Sequence, residues 1–123
     1  MDRFEIKISK PILDRKSKFI GVSVMVTSKE KAEKALNLIK NKKEFKKPSH
    51  SITAYRILQN EKVLEKKNDD GETGAGIRLL ELLRKRNIEN ILVIVFRWYG
   101  GIHLGSDRFR HILSVGEASL PED

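Results

Sequence analysis

Two short segments of this sequence combine charged or aromatic side chains with closely spaced glycines, the residue types that binding and catalysis need. The first glycine loop, residues 68–76 (NDDGETGAG), places three carboxylates within four residues. The second glycine loop, residues 97–105 (RWYGGIHLG), holds an arginine, two aromatic rings and a histidine. Apolar residues at helical spacing follow each loop, so both loops are predicted to lead into helices.

The first glycine loop resembles three known ligand sites without matching any of them. Gly71 and Gly76 have the spacing of a phosphate-binding loop, but Ile77 and Arg78 stand where that motif needs Lys and Ser or Thr. The Gly-Ala-Gly at its end lacks the third glycine of a dinucleotide fingerprint. Its carboxylates suit a hard cation, yet the EF-hand spacing is absent. A turn followed by an acid at the start of a helix is favoured over a metal site.

The histidines and serines form no catalytic pattern. His50, His103 and His111 are the only histidines, and no pair has the HExxH spacing of a zinc enzyme. His111 lies four residues after Asp107, so we expect the two to be neighbours on an exposed helix face. No serine lies in a GxSxG elbow. We therefore expect no catalytic residue, no bound metal and no cofactor.

The composition limits the class of protein. The 123 residues fit one domain, and their net charge of +8 favours acidic partners such as nucleic acid or acidic protein surfaces. The absence of cysteine excludes disulfides and cysteine-ligated zinc. Because the longest apolar run has six residues and the N-terminus is charged, neither a membrane span nor a signal peptide is expected. The expected location is the cytoplasm, with no membrane partner.

A central strand is predicted between the two loops. Residues 91–96 are consecutively apolar, which is typical of a strand covered on both faces. Alternating apolar residues predict further strands, and helical spacing predicts three helices. The strands are expected over residues 4–8, 18–27, 51–58 and, at an edge, 63–67. The helices are expected after Ser28, after the first glycine loop and from Ser106 to about Val115.

If the strands at residues 63–67 and 91–96 share a sheet and run in the same sense, both glycine loops open at the same edge. Such edges commonly bind ligands in α/β architectures. Asp69, Asp70 and Glu72 are then expected to face Arg97 and Arg108. Strand alternation sends one ring of the Trp-Tyr pair inward and the other outward.

Positive charge is concentrated at the far end of the first predicted helix. Residues 29–47 contain eight lysines and three glutamates. This predicts a basic patch, which is either a phosphate-binding surface or an ordinary solvated face. The patch consists of Lys40, Lys42, Lys43, Lys46 and Lys47.

Several of these segments together form a long and specific pattern. It comprises Asp69-Asp70-Gly71-Glu72 with Gly74 and Gly76, His50 followed by Ala54-Tyr55-Arg56, and Arg97-Trp98-Tyr99-Gly100-Gly101-Ile102 with Leu104-Gly105 and Asp107-Arg108-Phe109. This pattern resembles the IMPACT family, which includes the bacterial YigZ-type proteins. The resemblance extends from about residue 15 to His111, and the Trp-Tyr and Asp-Arg-Phe forms are more similar to eukaryotic members.

The resemblance implies an α+β fold like domain 2 of ribosomal protein S5, with a mixed β-sheet and helices packed on one face. It implies a non-enzymatic regulator of translation and of the amino-acid starvation response, acting by protein binding. The implied partners are the activator of a starvation-responsive kinase, or actin. Relatives also carry an RWD domain or a bacterial-type C-terminal domain, and neither is expected within residues 1–123.

The partner-binding residues are predicted to come from both loops and from the start of the third helix. They are Asp69, Asp70, Gly71, Glu72, Gly74, Gly76, Arg97, Trp98, Tyr99, Gly100, Gly101, His103, Gly105, Asp107 and Arg108. The alternative function is an RNA- or ribosome-binding module that uses the basic patch. A metal-dependent hydrolase built on the three carboxylates is the least favoured class.

Overall fold

The structure, a computed structural model, describes residues 3–122. Its elements are six strands, three α-helices and one short 3₁₀ turn within that range. In chain order they are β1 (Ile6–Ile8), β2 (Ile12–Asp14), β3 (Ser17–Met25), α1 (Lys29–Lys40), the 3₁₀ turn (Lys43–Phe45), β4 (His50–Gln59), β5 (Lys62–Asn68), α2 (Ala75–Lys85), β6 (Ile91–Trp98) and α3 (Asp107–Ser119). None of the helices in this part of the chain has the length and apolar content needed to cross a bilayer.

The strand β6 lies at the centre of the sheet, as its apolar run predicted. The strand order is β1-β3-β6-β4-β5, and β2 pairs with β3 alongside β1. All pairings within residues 3–122 are antiparallel, so the mixed sheet expected from the resemblance contains no parallel neighbours there. Because β4 runs opposite to both β5 and β6, those two strands run in the same sense.

Helices cover both faces of the sheet. On one face, Val93 shares a buried cluster with Leu79 of α2 and Ile112 of α3. On the other face, Ile94 shares a second cluster with Ala35 of α1. The α+β class is confirmed, but α1 departs from the expected packing of helices on one face. The physical reason is β6 itself, because residues 91–96 are at most 2% exposed and need apolar cover on both sides.

The boundaries of the elements differ from the predictions mainly after α1. Ser28 caps this helix as expected, since its hydroxyl accepts a hydrogen bond from the Lys31 N–H at 3.1 Å. The helix ends at Lys40, and the following lysines lie in and around the separate 3₁₀ turn. The chain leaves the helix there because Phe45 inserts into the core, where it is 1% exposed. The short strand β2 was not predicted, and α3 extends beyond its predicted end.

The helix α3 lies very close to β3 because glycines occupy the contact. A Cβ atom on Gly21 of β3 would lie 2.0 Å from the carbonyl oxygen of Val115 in α3. Next to it, a Cβ atom on Gly116 would lie 2.9 Å from the Cδ2 atom of Leu79. Any side chain at Gly21 would therefore push the helix away from the sheet.

We predict that Gly21→Ala destabilises the fold more than Gly116→Ala does. The first methyl group meets a backbone carbonyl that cannot rotate away, and overpacking of this kind costs about 1–3 kcal/mol or more. The second meets only the end of a leucine side chain, and alanine adds roughly 1 kcal/mol of helix propensity over glycine. Urea unfolding followed by tryptophan fluorescence measures both variants. Equal losses in the free energy of unfolding would contradict the close approach of α3 to β3.

Candidate functional site

The two glycine loops open at the same edge of the sheet, because they follow β5 and β6, which run in the same sense. An ion pair joins the loops directly. The Nη1 atom of Arg97 donates to the two carboxylate oxygens of Glu72 at 3.0 and 2.9 Å. Both side chains are buried, with 4% of Arg97 and 6% of Glu72 exposed. The same-edge arrangement predicted from the sequence is present in the structure.

Two further nitrogen-bearing side chains approach the Glu72 carboxylate from other elements. The Nε atom of Arg108, in α3, lies 3.8 Å from one oxygen, and the Nε2 atom of His50, at the start of β4, lies 3.5 Å from the other. Neither distance is that of a strong hydrogen bond. The carboxylate therefore bonds to Arg97 and lies within the electrostatic reach of the other two groups.

The other two acids of the first glycine loop bind the backbone. Asp69 accepts the N–H groups of Gly74 at 3.0 Å and Gly76 at 2.7 Å, and these hydrogen bonds hold the pKa of Asp69 below its usual value. Asp70 accepts the Ser51 N–H at 2.7 Å. The prediction that all three carboxylates face the arginines is therefore wrong for Asp69 and Asp70. The free N–H groups at the start of α2 and at β4 are closer partners.

His50 fastens the first glycine loop to β4. Its Nδ1 atom lies 2.8 Å from the carbonyl oxygen of Asp70, and because a carbonyl only accepts, Nδ1 carries the proton. Gly71 passes against the ring, where an added Cβ atom would lie 3.1 Å away. His50 was absent from the predicted site residues, although it is part of the pattern that carried the family resemblance.

The two aromatic residues of the second loop have different environments, as strand alternation predicted. Trp98 packs against the buried cluster that includes Ile94 and Ala35 of α1, and its indole N–H donates to the Lys46 carbonyl at 2.8 Å. Tyr99 is 41% exposed, with its ring 5.4 Å from the Arg97 guanidinium and 5.5 Å from the His103 ring. Trp98 therefore lies on the face of the sheet that α1 covers, whereas Tyr99 lines the cavity described below.

The second glycine loop is held close to the turn between β2 and β3. A Cβ atom on Gly100 would lie 2.1 Å from the carbonyl carbon of Lys16, so only glycine fits there. The Gly100 N–H donates to the Ser17 hydroxyl at 3.2 Å. Gly101 and Gly105, by contrast, lie on the exposed side of the loop, with no atom within 4 Å of an added Cβ.

A second ion-pair network anchors the start of α3. The Nη2 atom of Arg15 lies 2.6 Å from Asp107 and 3.0 Å from Asp14, and the Nε2 atom of His111 lies 2.7 Å from Asp14. The predicted pairing of His111 with Asp107 on an exposed face is therefore wrong. His111 is half-buried with its ring 5.2 Å from that of Phe19. Asp14, the last residue of β2, takes the place of the partner expected within the helix.

A cavity of about 370 Å³ opens above the buried ion pair. It collects side chains from β4, both glycine loops and α3 on one concave surface. Its lining residues are His50, Glu72, Arg97, Tyr99, His103, Leu104, Gly105 and Arg108. Within residues 3–122, no group of three or more His, Asp or Glu side chains is arranged to hold a metal ion.

The lysines of the predicted basic patch do not line this cavity. Lys40 ends α1, and the other four flank or lie within the 3₁₀ turn on the α1 side. Four of the five are exposed, and Lys42 is half-buried. The basic patch and the cavity are thus two separate charged surfaces. The sequence alone could not show whether they form one site or two.

Comparison with known proteins gives a consistent match along the chain. Residues 15–120 match the Impact N-terminal domain. The Protein IMPACT homolog of Schizosaccharomyces pombe is 43% identical over 98% of this chain and 44% of its own length. Protein IMPACT-B of Xenopus tropicalis is 46% identical over 96% of this chain and 38% of its own length. The chain therefore spans less than half the length of these relatives.

Two solved structures share the fold. The two-domain translational regulator Yih1 is 40% identical with a TM-score of 0.65, over 97% of this chain and 47% of that one. The crystal structure of a hypothetical protein is 23% identical with a TM-score of 0.77, over 93% of this chain and 60% of that one. The second likeness supports the fold alone.

We predict that Glu72→Gln destabilises the fold by about 3–5 kcal/mol, because it leaves the buried Arg97 charge without a counterion. Glu65→Gln is the matched control. Glu65 also pairs with two arginines, Arg56 and Arg84, but its side chain is 25% exposed, so a cost of about 1 kcal/mol or less is expected. Denaturant unfolding measures both. Similar costs for the two variants would mean that the buried pair does not hold the loops.

We predict that the stability of the Asp14→Asn variant depends less on pH in acid than the stability of the wild type does. Hydrogen bonds from Arg15 and then from His111 lower the pKa of Asp14 from 3.8 to about 2. Because the pKa is lower in the folded state, this stabilisation is complete above about pH 4 and is lost as the pH falls through about 2. Thermal unfolding between those pH values tests the effect. The wild-type Tm should fall more steeply than that of the variant, and parallel curves would refute the assignment.

Proposed function

The chain belongs to the IMPACT family, and we propose that it is a non-enzymatic regulator of translation and of the starvation response that acts by binding proteins. The observation that carries the proposal is the convergence of the two glycine loops on one edge, locked by the buried Glu72–Arg97 pair. The family relatives and the translational regulator Yih1 support the translation role. The candidate partners are the activator of the starvation-responsive kinase and actin, as the family resemblance implies.

The surface around the cavity has the composition of a protein-binding site. Tyr99 and Arg108 line the cavity with partly exposed side chains, Tyr99 being 41% exposed, and Ile102 of the same glycine loop as Tyr99 is 43% exposed. Tyrosine and arginine are enriched among the residues that contribute most binding energy in protein interfaces. Exposed apolar side chains next to fixed charges therefore favour a protein partner at this edge.

The mode of action we propose is competition. Because the loops are tied to β3, β4 and α3 by internal hydrogen bonds, little conformational entropy is lost when a partner binds. A preformed surface of this kind can occupy the region of an activator that the kinase would otherwise use. Regulation by occupancy makes and breaks no covalent bond.

RNA or ribosome binding is the second candidate, and the lysine-rich segment after α1 is the observation that favours it. Binding through lysines and phosphates weakens steeply with salt because counterions are released on binding. Binding through the cavity edge, with its tyrosine and isoleucine, depends less on salt. The two candidates therefore differ in both the residues and the salt dependence that they require.

We predict that the purified chain, added to an extract of starved cells, lowers phosphorylation of the initiation-factor substrate of the kinase. Tyr99→Ala should weaken the effect by about 2 kcal/mol, or roughly 30-fold in the concentration needed, as expected for an interface anchor. The double variant Lys40→Gln, Lys43→Gln is the control and should act like wild type. Phosphorylation is followed by immunoblot.

The opposite pattern would favour the RNA candidate. If the lysine variant loses the effect, Tyr99→Ala keeps it and ribonuclease treatment abolishes it, the basic patch is the functional surface. No effect of the wild-type chain at any concentration would reject the regulator proposal.

A further inference from the structure

The cavity above the ion pair carries more positive charge than its own acid neutralises. Arg97 and Arg108 both line it, and Glu72 is the one anionic side chain among its lining residues. Counting the two arginines against Glu72 leaves one unit of positive charge. An electrically balanced complex therefore needs one further negative charge inside the cavity.

Arg97 has hydrogen-bonding capacity that its neighbours do not use. Its side chain is 4% exposed, and Nη2 makes only a long contact of 3.4 Å with the Ser17 hydroxyl. The buried Nε atom has no hydrogen-bond acceptor among the residues that the structure describes. Buried donors in native proteins are nearly always paired, so the unpaired Nε–H leaves the charge of Arg97, a residue of the cavity wall, less fully compensated than that of a guanidinium whose donors are all bonded.

Arg108 is held in place to receive an anion in the cavity. Its Nη1 atom donates to the Gly105 carbonyl at 2.5 Å, and its guanidinium lies 4.2 Å from the centre of the Phe109 ring. The Nε atom remains 3.8 Å from Glu72, beyond hydrogen-bond distance, and 28% of the side chain is exposed. A fixed guanidinium with accessible donors is preorganised to bind a planar carboxylate.

We propose that the cavity binds a single carboxylate group of an acidic peptide segment, hydrogen-bonded by Arg108 and attracted by the charge of Arg97 beneath. This inference rests on the proposed function, whose protein partner supplies the segment. The single excess positive charge of the cavity favours a carboxylate over a phosphate monoester. A phosphate monoester carries a charge of about −1.5 to −2 at neutral pH, and Glu72 repels the second negative charge. The exposed ring of Tyr99, 5.4 Å from the Arg97 guanidinium, provides an apolar surface for the peptide beside its acid.

The test is an NMR titration that follows the Nε–H signals of Arg97 and Arg108. One probe is a blocked pentapeptide with a single glutamate, acetyl-Gly-Ala-Glu-Ala-Gly-amide, and its control has glutamine in place of glutamate. Sodium acetate represents a free carboxylate, and the dinucleotide UpU represents an RNA phosphodiester. We expect saturable shifts of both signals with the glutamate peptide, weaker shifts with acetate and none with the glutamine peptide.

Two arginines of α3 provide matched variants. Arg108→Gln should weaken binding of the glutamate peptide roughly tenfold or more, the loss expected for hydrogen bonds to a charged group. Arg110→Gln removes the same charge from a side chain that is 69% exposed and does not line the cavity, so it should bind like wild type. The spectra themselves report whether each variant is folded.

Several results would overturn the proposal. They are the absence of saturation with the glutamate peptide, equal binding of the glutamine peptide, tighter binding of UpU or acetate, and equal losses in the two arginine variants.

Failure of the carboxylate site can be distinguished from failure of the proposed function. If Arg108→Gln lowers phosphorylation in extract to the same extent as the wild-type chain, the proposed regulatory function is supported and the carboxylate site is not needed for it. If the peptide binds but the wild-type chain has no effect in extract, the site stands without the regulator.

Discussion

The buried ion pair between Glu72 and Arg97 is the interaction on which the candidate site depends. Taking both charges out of water is unfavourable, and their attraction compensates only when the geometry is good. The sheet provides that geometry, because β5 and β6 end at the same edge and deliver one loop each. Once formed, the pair fixes how the two loops lie together. Removing one partner therefore costs more than the intact pair contributes to the net stability of the fold, because the other charge stays buried without a counterion.

The sequence was informative wherever one segment alone carried the signal. The six apolar residues of β6 were sufficient to predict a buried central strand, and Ser28 was sufficient to predict the start of α1. Features that depend on contacts between several elements were harder to predict from the sequence. The 3₁₀ turn after α1 follows from the burial of Phe45, and the partner of His111 is Asp14 of β2, a strand that was not predicted. Neither constraint is visible in helical periodicity, which indicates which side of a helix is apolar but not which face of the sheet it covers.

The site was predictable to a similar extent and for similar reasons. The charges of the loops and the predicted topology were together sufficient to predict that Glu72 faces Arg97 and Arg108. They were insufficient for Asp69, because a free backbone N–H at a helix start competes with a side chain across the edge. His50 was missed, yet topology contains a signal for it. The strand β4 lies between β5 and β6 and runs opposite to both, so its first residue must lie at the edge where the other two end.

The arrangement of Glu72 also bears on the kind of function that the site can have. A general base needs a carboxylate oxygen that is free to accept a proton from a bound substrate. Both oxygens of Glu72 already accept from Arg97, with Arg108 and His50 close by. Glu72 is therefore not available as a general base, and this follows from the same ion pair that holds the two loops together.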